Sequence, residues 1–281
     1  METSSLPNFP DDGFTVTAAE PWVLQKMQIV SQYVTSFVGA VSGRVDEIIV
    51  VDLYSGSGMY SLGSKRQLFP GLPLTALSLK LPINKFVFCE KDPNQLKALK
   101  IRTNKYFKDK NVILLEGKPQ ELVDKLAMYV PVDKEYYKSA VLCVCDPFSI
   151  DMPFATISRL ASQGFNFIIP FNFALNDRIN YRYYLKLNYD KLDRFLGVGG
   201  ARRLKSNIEN NLQFYKHVVR IYQSNMLALG LNEAISVYKI DSGLFEIPSY
   251  YIGLFSKQFS SKEVQEKVAA SHKIQYNLFN R

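Results

Sequence analysis

Several groups of residues in this chain have the types and spacing to do chemistry. The first is Val50-Val51-Asp52-Leu53-Tyr54-Ser55-Gly56-Ser57-Gly58, an apolar run ending in a carboxylate and then a glycine turn. Glycines there let the backbone approach a ligand closely, and the positive end of a following helix would favour an anion. The segment reads as a nucleotide-type pocket, or as a plain tight turn. The second is Glu90, at the end of Lys85-Phe-Val-Phe-Cys-Glu90. A carboxylate there can accept both hydroxyls of a ribose, or it serves the helix start expected at Asp92-Pro93. Glu90 stands 32 residues after Gly58, beyond the usual separation of about 20 in dinucleotide sites, and the proline-rich stretch 63–84 accounts for the excess. Glu116, after the short apolar run 112–115, is placed for an adenine or for a surface turn. Asp146-Pro147-Phe148 is sharper, because proline holds Asp146 extended and ends the strand with the carboxylate at its carboxyl edge. Asp146 could hold an attacking amine or hydroxyl and Phe148 could stack on a ring, or Asp146 caps the next helix. Asn172 and Arg178 follow the fifth apolar run and could line the same edge; in the alternative, Asn172 satisfies a turn and Arg178 is solvated.

The dinucleotide fingerprint needs a third glycine where Ser61 stands, which disfavours nicotinamide and flavin. An acid four residues before Gly56 is the arrangement of S-adenosylmethionine enzymes, with Asp52 facing the ammonium of the methionine part. Only two histidines occur, His217 and His272, and no metal-ligand spacing surrounds them, so no metal is expected. Cys89, Cys143 and Cys145 lie inside apolar runs, which argues against a disulfide framework and for a reducing, cytoplasmic setting. The net charge of +8 favours anionic partners such as nucleic acid. Tyr181-Arg182-Tyr183-Tyr184 and Arg202-Arg203 could meet phosphates with stacking beside them, or form a charged, half-buried helical face.

These residues need positioning elements. Val23, Met27, Val30, Val34, Val38 and Val41 recur every three or four places and predict a helix from Pro21 to about Val41. Apolar runs at 47–54, 85–90, 112–115, 140–145 and 165–170 predict five strands. A turn and a helix are expected after Gly58, a loop and a short helix in 63–84, and helices after Asp92-Pro93, at 119–129 and around 153–163. The alternation argues for an α/β fold with a doubly wound, mostly parallel Rossmann-like sheet. A helical insertion is expected at about 176–229, interrupted by Gly197-Val-Gly-Gly200. An antiparallel hairpin of 233–240 with 249–256 and a helix around 262–270 close the chain. Residues 1–19 read as a flexible tail without the pattern of a secretory signal, and 20–281 as one domain. A composition 47% hydrophobic and 21% charged excludes disorder as the main state, and no apolar stretch reaches the roughly twenty residues a membrane span requires.

The ordered set of Trp22, Val51-Asp-Leu-Tyr-Ser-Gly-Ser-Gly58, Gly71-Leu-Pro-Leu-Thr-Ala-Leu77, Phe88-Cys-Glu-Lys-Asp92, Asp146-Pro-Phe148, Asn172-Phe173 with Arg178, Phe195-Leu-Gly197 and Tyr250-Tyr-Ile-Gly-Leu-Phe-Ser256 resembles the three-Cys-motif partner (TcmP) family over about residues 20–258. That family resembles class I S-adenosylmethionine-dependent methyltransferases. The resemblance implies a Rossmann-like methyltransferase domain, S-adenosylmethionine as cofactor, and a genomic association with a cysteine-motif protein. Asp52, Gly56, Gly58, Glu90 and Glu116 would hold the cofactor, Asp146 and Phe148 the methyl acceptor, and Asn172 and Arg178 the substrate. A nucleic-acid nitrogen is the preferred acceptor; the other reading is a non-catalytic nucleotide-binding partner or scaffold. Ser149 stands where the family commonly has glycine.

Overall fold

The computed structural model describes residues 9–130, 137–147, 149–204, 208–240, 242, 245–257 and 266. The chain divides into two compact units, 1–144 and 145–281.

In the first unit, β1 (Thr17–Ala19) precedes α1 (Trp22–Val41). The three-to-four-residue apolar spacing puts Val23, Met27, Val30, Val34, Phe37, Val38 and Val41 on the buried side. Burying each such side chain contributes about 1.5–3 kcal/mol. β2 (Glu47–Asp52) is buried at every position, as expected of a strand covered on both faces. The chain then forms β3 (Met59–Leu62) and β4 (Gln67–Pro70), an antiparallel hairpin, before α2 (Leu72–Ser78). This corrects the expectation that a helix comes directly after the glycine turn. Met59-Tyr-Ser-Leu62 and Gln67-Leu-Phe-Pro70 pair instead, joined by a turn with Gly63 and Arg66 at φ of 57° and 48°, and Tyr60 stacks on Phe69 at 5.2 Å. β1 pairs in parallel with β3, so residues 17–19 of the expected tail belong to a three-stranded sheet.

β5 (Lys85–Glu90), α3 (Pro93–Tyr106), β6 (Val112–Glu116), α4 (Pro119–Tyr129) and β7 (Ser139–Val144) complete the first unit. Its main strands are parallel in the order β6-β5-β2-β7. From β2 the chain winds outward through β5 to β6 and then returns to β7 on the other side of β2. The carboxyl ends of β2 and β7 therefore flank a topological switch point, where open α/β sheets place their ligands.

The second unit contains α5 (Phe154–Ser162), β8 (Phe165–Pro170), the insertion, and the antiparallel strands β9 (Asn232–Lys239) and β10 (Ser249–Ser256). The expected closing hairpin is present in the register Tyr250↔Tyr238, and β10 also pairs antiparallel with β8. In the insertion, a π-helical turn (Tyr183–Leu187) leads into α6 (Tyr189–Leu196), a 3-10 turn (Ala201–Arg203) and α7 (Asn211–Ala228). The doubly wound, mostly parallel α/β fold read from the sequence is the one observed. The helix expected at 262–270 lies outside the described residues except for Glu266, which is helical. Among the described residues no helix is long and apolar enough to cross a membrane.

Candidate functional site

Three carboxylates end three adjacent parallel strands of the first unit: Asp52 on β2, Glu90 on β5 and Glu116 on β6, with Glu90 and Glu116 in direct register. Asp52 is buried, and its Oδ1 accepts from the Tyr54 N–H at 3.0 Å. Ser55 reaches back with its hydroxyl to Asp52 O and with its N–H to Cys89 O on β5, so the chain leaves β2 across its neighbour's end. Gly56 and Gly58 then turn at φ of 57° and 77°, where a side chain would be strained.

Glu90 holds this turn. Its Oε2 accepts from the Gly56 N–H at 2.9 Å and its Oε1 from the Asp92 N–H at 2.8 Å, with 8% of the residue exposed. The helix-capping duty falls to Asp92, whose Oδ1 accepts from the N–H groups of Asn94 and Gln95. Of the two sequence readings of Glu90, the helix-cap reading belongs to its neighbour. A carboxylate has about four acceptor positions, so two remain on Glu90 for hydroxyl donors. Glu116 is exposed at its strand end, and the next residue, Gly117, donates its N–H to Glu90 O. Burial, with the charges of Asp52 and Glu90 beside it, pushes the Cys89 thiol upward, so Cys89 is a neutral wall rather than a nucleophile.

Two residues that motif reading passed over complete the turn. Arg102, fully buried on α3, donates Nε and Nη2 to the two carboxylate oxygens of Asp12 at 2.8 and 2.7 Å. Its Nη1 donates to Thr15 O at 2.9 Å and to Ser57 O at 2.7 Å. The guanidinium beside Asp12 holds that carboxyl below its ordinary range. Arg102 thus ties the glycine turn to residues 12–15, part of the stretch expected to be a tail. The sequence does carry a signal: Ala98, Leu99, Arg102 and Thr103 form the buried face of α3, so a charge sits at a core position.

In the second unit, half-buried Asp146 stands two residues after the end of β7. Asn172 is fully buried; with its amide nitrogen facing its two acceptors, it donates to Asp146 Oδ1 at 3.1 Å and Pro170 O at 3.2 Å. Two residues singled out separately in the sequence are therefore brought together. A small, partly open pocket beside them, with room for no more than about one water, is lined by Pro147, Ser149, Met152, Pro170, Phe173 and Tyr222, among others. Ser149 donates its hydroxyl to Asp151. Tyr238 was not anticipated: burial pushes its phenol up and the charge of Asp146 adds to that shift. Arg178 is exposed on the loop opening the insertion, its N–H bonded to Asn176 Oδ1. Phe148 lies outside the described residues. Among the described residues no three His, Cys, Asp or Glu side chains are grouped as metal ligands.

No protein-family model matches the chain, and no curated protein matches it in sequence. Among solved structures it is similar to LPL1258 from Legionella pneumophila, of the family model DUF519, with a TM-score of 0.54 at 11% identity over 88% of this chain and 91% of that one. It also aligns with an rRNA methylase from Streptococcus thermophilus (TM-score 0.37, 13% identity, 80% of this chain and 95% of that one). A further alignment is to the bifunctional kinase-methyltransferase WbdD (TM-score 0.45, 12% identity, 83% of this chain and 39% of that one). At these identities the likeness to LPL1258 is one of fold, and it agrees with the doubly wound α/β topology.

Proposed function

We propose that this protein is an S-adenosylmethionine-dependent methyltransferase acting on a nitrogen of a nucleic acid. The observation carrying the reading is the row of carboxylates at the ends of β2, β5 and β6, with Glu90 bound to the amide of the glycine turn. The site suits the cofactor chemically. Asp52 offers a buried carboxylate to an ammonium, Glu90 retains acceptor positions for ribose hydroxyls, and the glycines leave room for backbone approach. The ordered motifs that resemble those of three-Cys-motif partner proteins support the same reading, and with it a genomic association with a cysteine-motif protein.

When bound, S-adenosylmethionine supplies a methyl group on a sulfonium, a centre open to in-line attack without a metal. The chain's own work is then orientation and exclusion of water. Asp146 would accept a hydrogen bond from the attacking amine and aim its lone pair, while Asn172 fixes the Asp146 carboxylate through Oδ1. The aromatic and proline walls beside Asp146 would exclude water from the acceptor.

The test is calorimetry with S-adenosylmethionine and S-adenosylhomocysteine, then transfer of labelled methyl to RNA, DNA and protein pools. Binding with transfer to a nucleic acid supports the reading. Binding without transfer to any pool would favour the non-catalytic partner, to which Ser149 in place of glycine also points.

A further inference from the structure

The helical insertion of the second unit carries a pattern that methyl transfer itself does not use. Residues 176–204 contain seven Lys and Arg against three Asp, so half of the chain's net +8 sits in a tenth of its length. Arg178, Arg182, Lys186, Arg194, Arg202 and Arg203 are all exposed. Asp193 is occupied within the fold, accepting from the N–H groups of Gly199 and Ala201.

The elements bearing these cations are packed about one helix. α6 rests against both the π-helical turn and the 3-10 turn, and Tyr184, Leu192, Phe195 and Leu196 are buried. With those side chains in the core, the cationic ones are left facing water. Between them lie outward apolar groups: Leu187 is 77% exposed, Val198 fully so, and the Tyr189 ring 37%. The Arg182 guanidinium lies over the Tyr181 ring at 5.4 Å and donates Nε to its hydroxyl, which sets a cation beside an aromatic ring.

A face that only keeps a protein in solution has no need of exposed rings and apolar tips among its cations. A single strand needs both, cations for its phosphates and rings for bases that are not paired. A duplex keeps its base faces stacked inside. We propose that the insertion at 176–204 is a binding surface for single-stranded nucleic acid, with Arg182, Lys186, Arg194 and Arg202 meeting phosphates and Tyr181 and Tyr189 stacking on bases. This deepens the reading above by giving its acceptor a strand and a docking surface, and it rests on that reading for the identity of the substrate. Binding is measured without cofactor, so the two can fail separately.

The experiment is fluorescence anisotropy of the full chain with labelled RNA and DNA oligonucleotides of about 20 nucleotides, single-stranded and duplex, across a salt series. The wild type is expected to prefer the single strand. Arg182→Ala/Lys186→Ala/Arg202→Ala should weaken binding about tenfold or more and make the log–log salt slope shallower by about 2, since each phosphate contact on a single strand contributes about 0.7. Lys97→Ala/Lys100→Ala/Lys108→Ala, three exposed cations of the first unit, should stay within about twofold of wild type. Tyr189→Ala should weaken single-strand binding by about tenfold and duplex binding far less. Unaltered circular dichroism of each variant separates these effects from unfolding. The proposal is overturned if the triple variant in the insertion keeps wild-type affinity and slope, if the wild type binds no oligonucleotide or prefers the duplex, or if vesicles rich in phosphatidylserine outcompete the oligonucleotide. Oligonucleotide binding in a protein that fails to bind S-adenosylmethionine would leave this surface standing and remove the methyl-transfer reading.

Discussion

Glu90 has two tasks in one side chain. It holds the Gly56 and Asp92 amides, and its remaining acceptor positions are the ones proposed for ribose. Glu90→Ala should weaken S-adenosylmethionine binding about ten- to a hundredfold, the equivalent of about 1.5–3 kcal/mol for charge-assisted hydrogen bonds. It should also lower stability by about 1–3 kcal/mol through the orphaned Gly56 amide. Calorimetry and denaturant unfolding measure the two separately, and a folded variant with unchanged affinity would return Glu90 to a purely structural role. Asp146 should behave in the opposite way. Asp146→Ala is expected to leave cofactor affinity within about threefold and lower turnover by about a hundredfold, the pattern of an interaction made only in the transition state. Asn172→Ala should change turnover in the same direction with a smaller loss, because it acts by fixing Asp146 Oδ1. Parallel loss of affinity and rate in Asp146→Ala would remove its proposed role.

At the scale of elements, the glycine turn is clamped from several sides. A Cβ on Gly58 would lie 2.8 Å from Leu99 of α3 and 3.1 Å from Leu74 of α2, and φ there is +77°. Gly58→Ala should therefore destabilise the fold by about 1–3 kcal/mol, adding left-handed strain to overpacking, as read from denaturant midpoints. The clamp between α3 and residues 12–15 is electrostatic. Because the Arg102 hydrogen bonds lower the Asp12 pKa, the stability Asp12 contributes is fully present above its ordinary value of 3.8 and is lost as pH falls through the lower folded value. Thermal midpoints of the wild type should fall on acidification below about pH 4. Asp12→Asn should be less stable at neutral pH and should lack that part of the acid limb. A variant with the wild-type profile would show that the Arg102 contact to Asp12 contributes nothing.

At the scale of the whole molecule, five of the seventeen tyrosines are buried in the second unit, Tyr184, Tyr215, Tyr222, Tyr238 and Tyr250, and burial pushes the phenols of Tyr184, Tyr215, Tyr238 and Tyr250 upward. A raised folded pKa means stability that is full below the unfolded value of about 10 and declines as pH rises beyond it, by up to about 1.4 kcal/mol per pH unit for each group. Absorbance titration should find these four phenols ionising only together with unfolding; their early ionisation in the folded protein would contradict their burial. The five strands of the alternating pattern and most helices were legible because an apolar run or a three-to-four-residue period records which side of one element meets the core. The same local logic marked Asp52, Glu90 and Asp146, since a carboxylate closing an apolar run has to lie at a strand's end. The hairpin after Gly58 was not legible, because the short segments 59–62 and 67–70 become strands only by pairing with each other and with β1. Nor was the partner of Arg102, ninety residues away at Asp12, or the meeting of Asn172 with Asp146. Sequence by itself determined the elements and the strand ends at which chemistry can sit. Tertiary structure alone decided which polar groups meet there, because periodicity specifies a face of one element and only packing between distant segments specifies what that face touches.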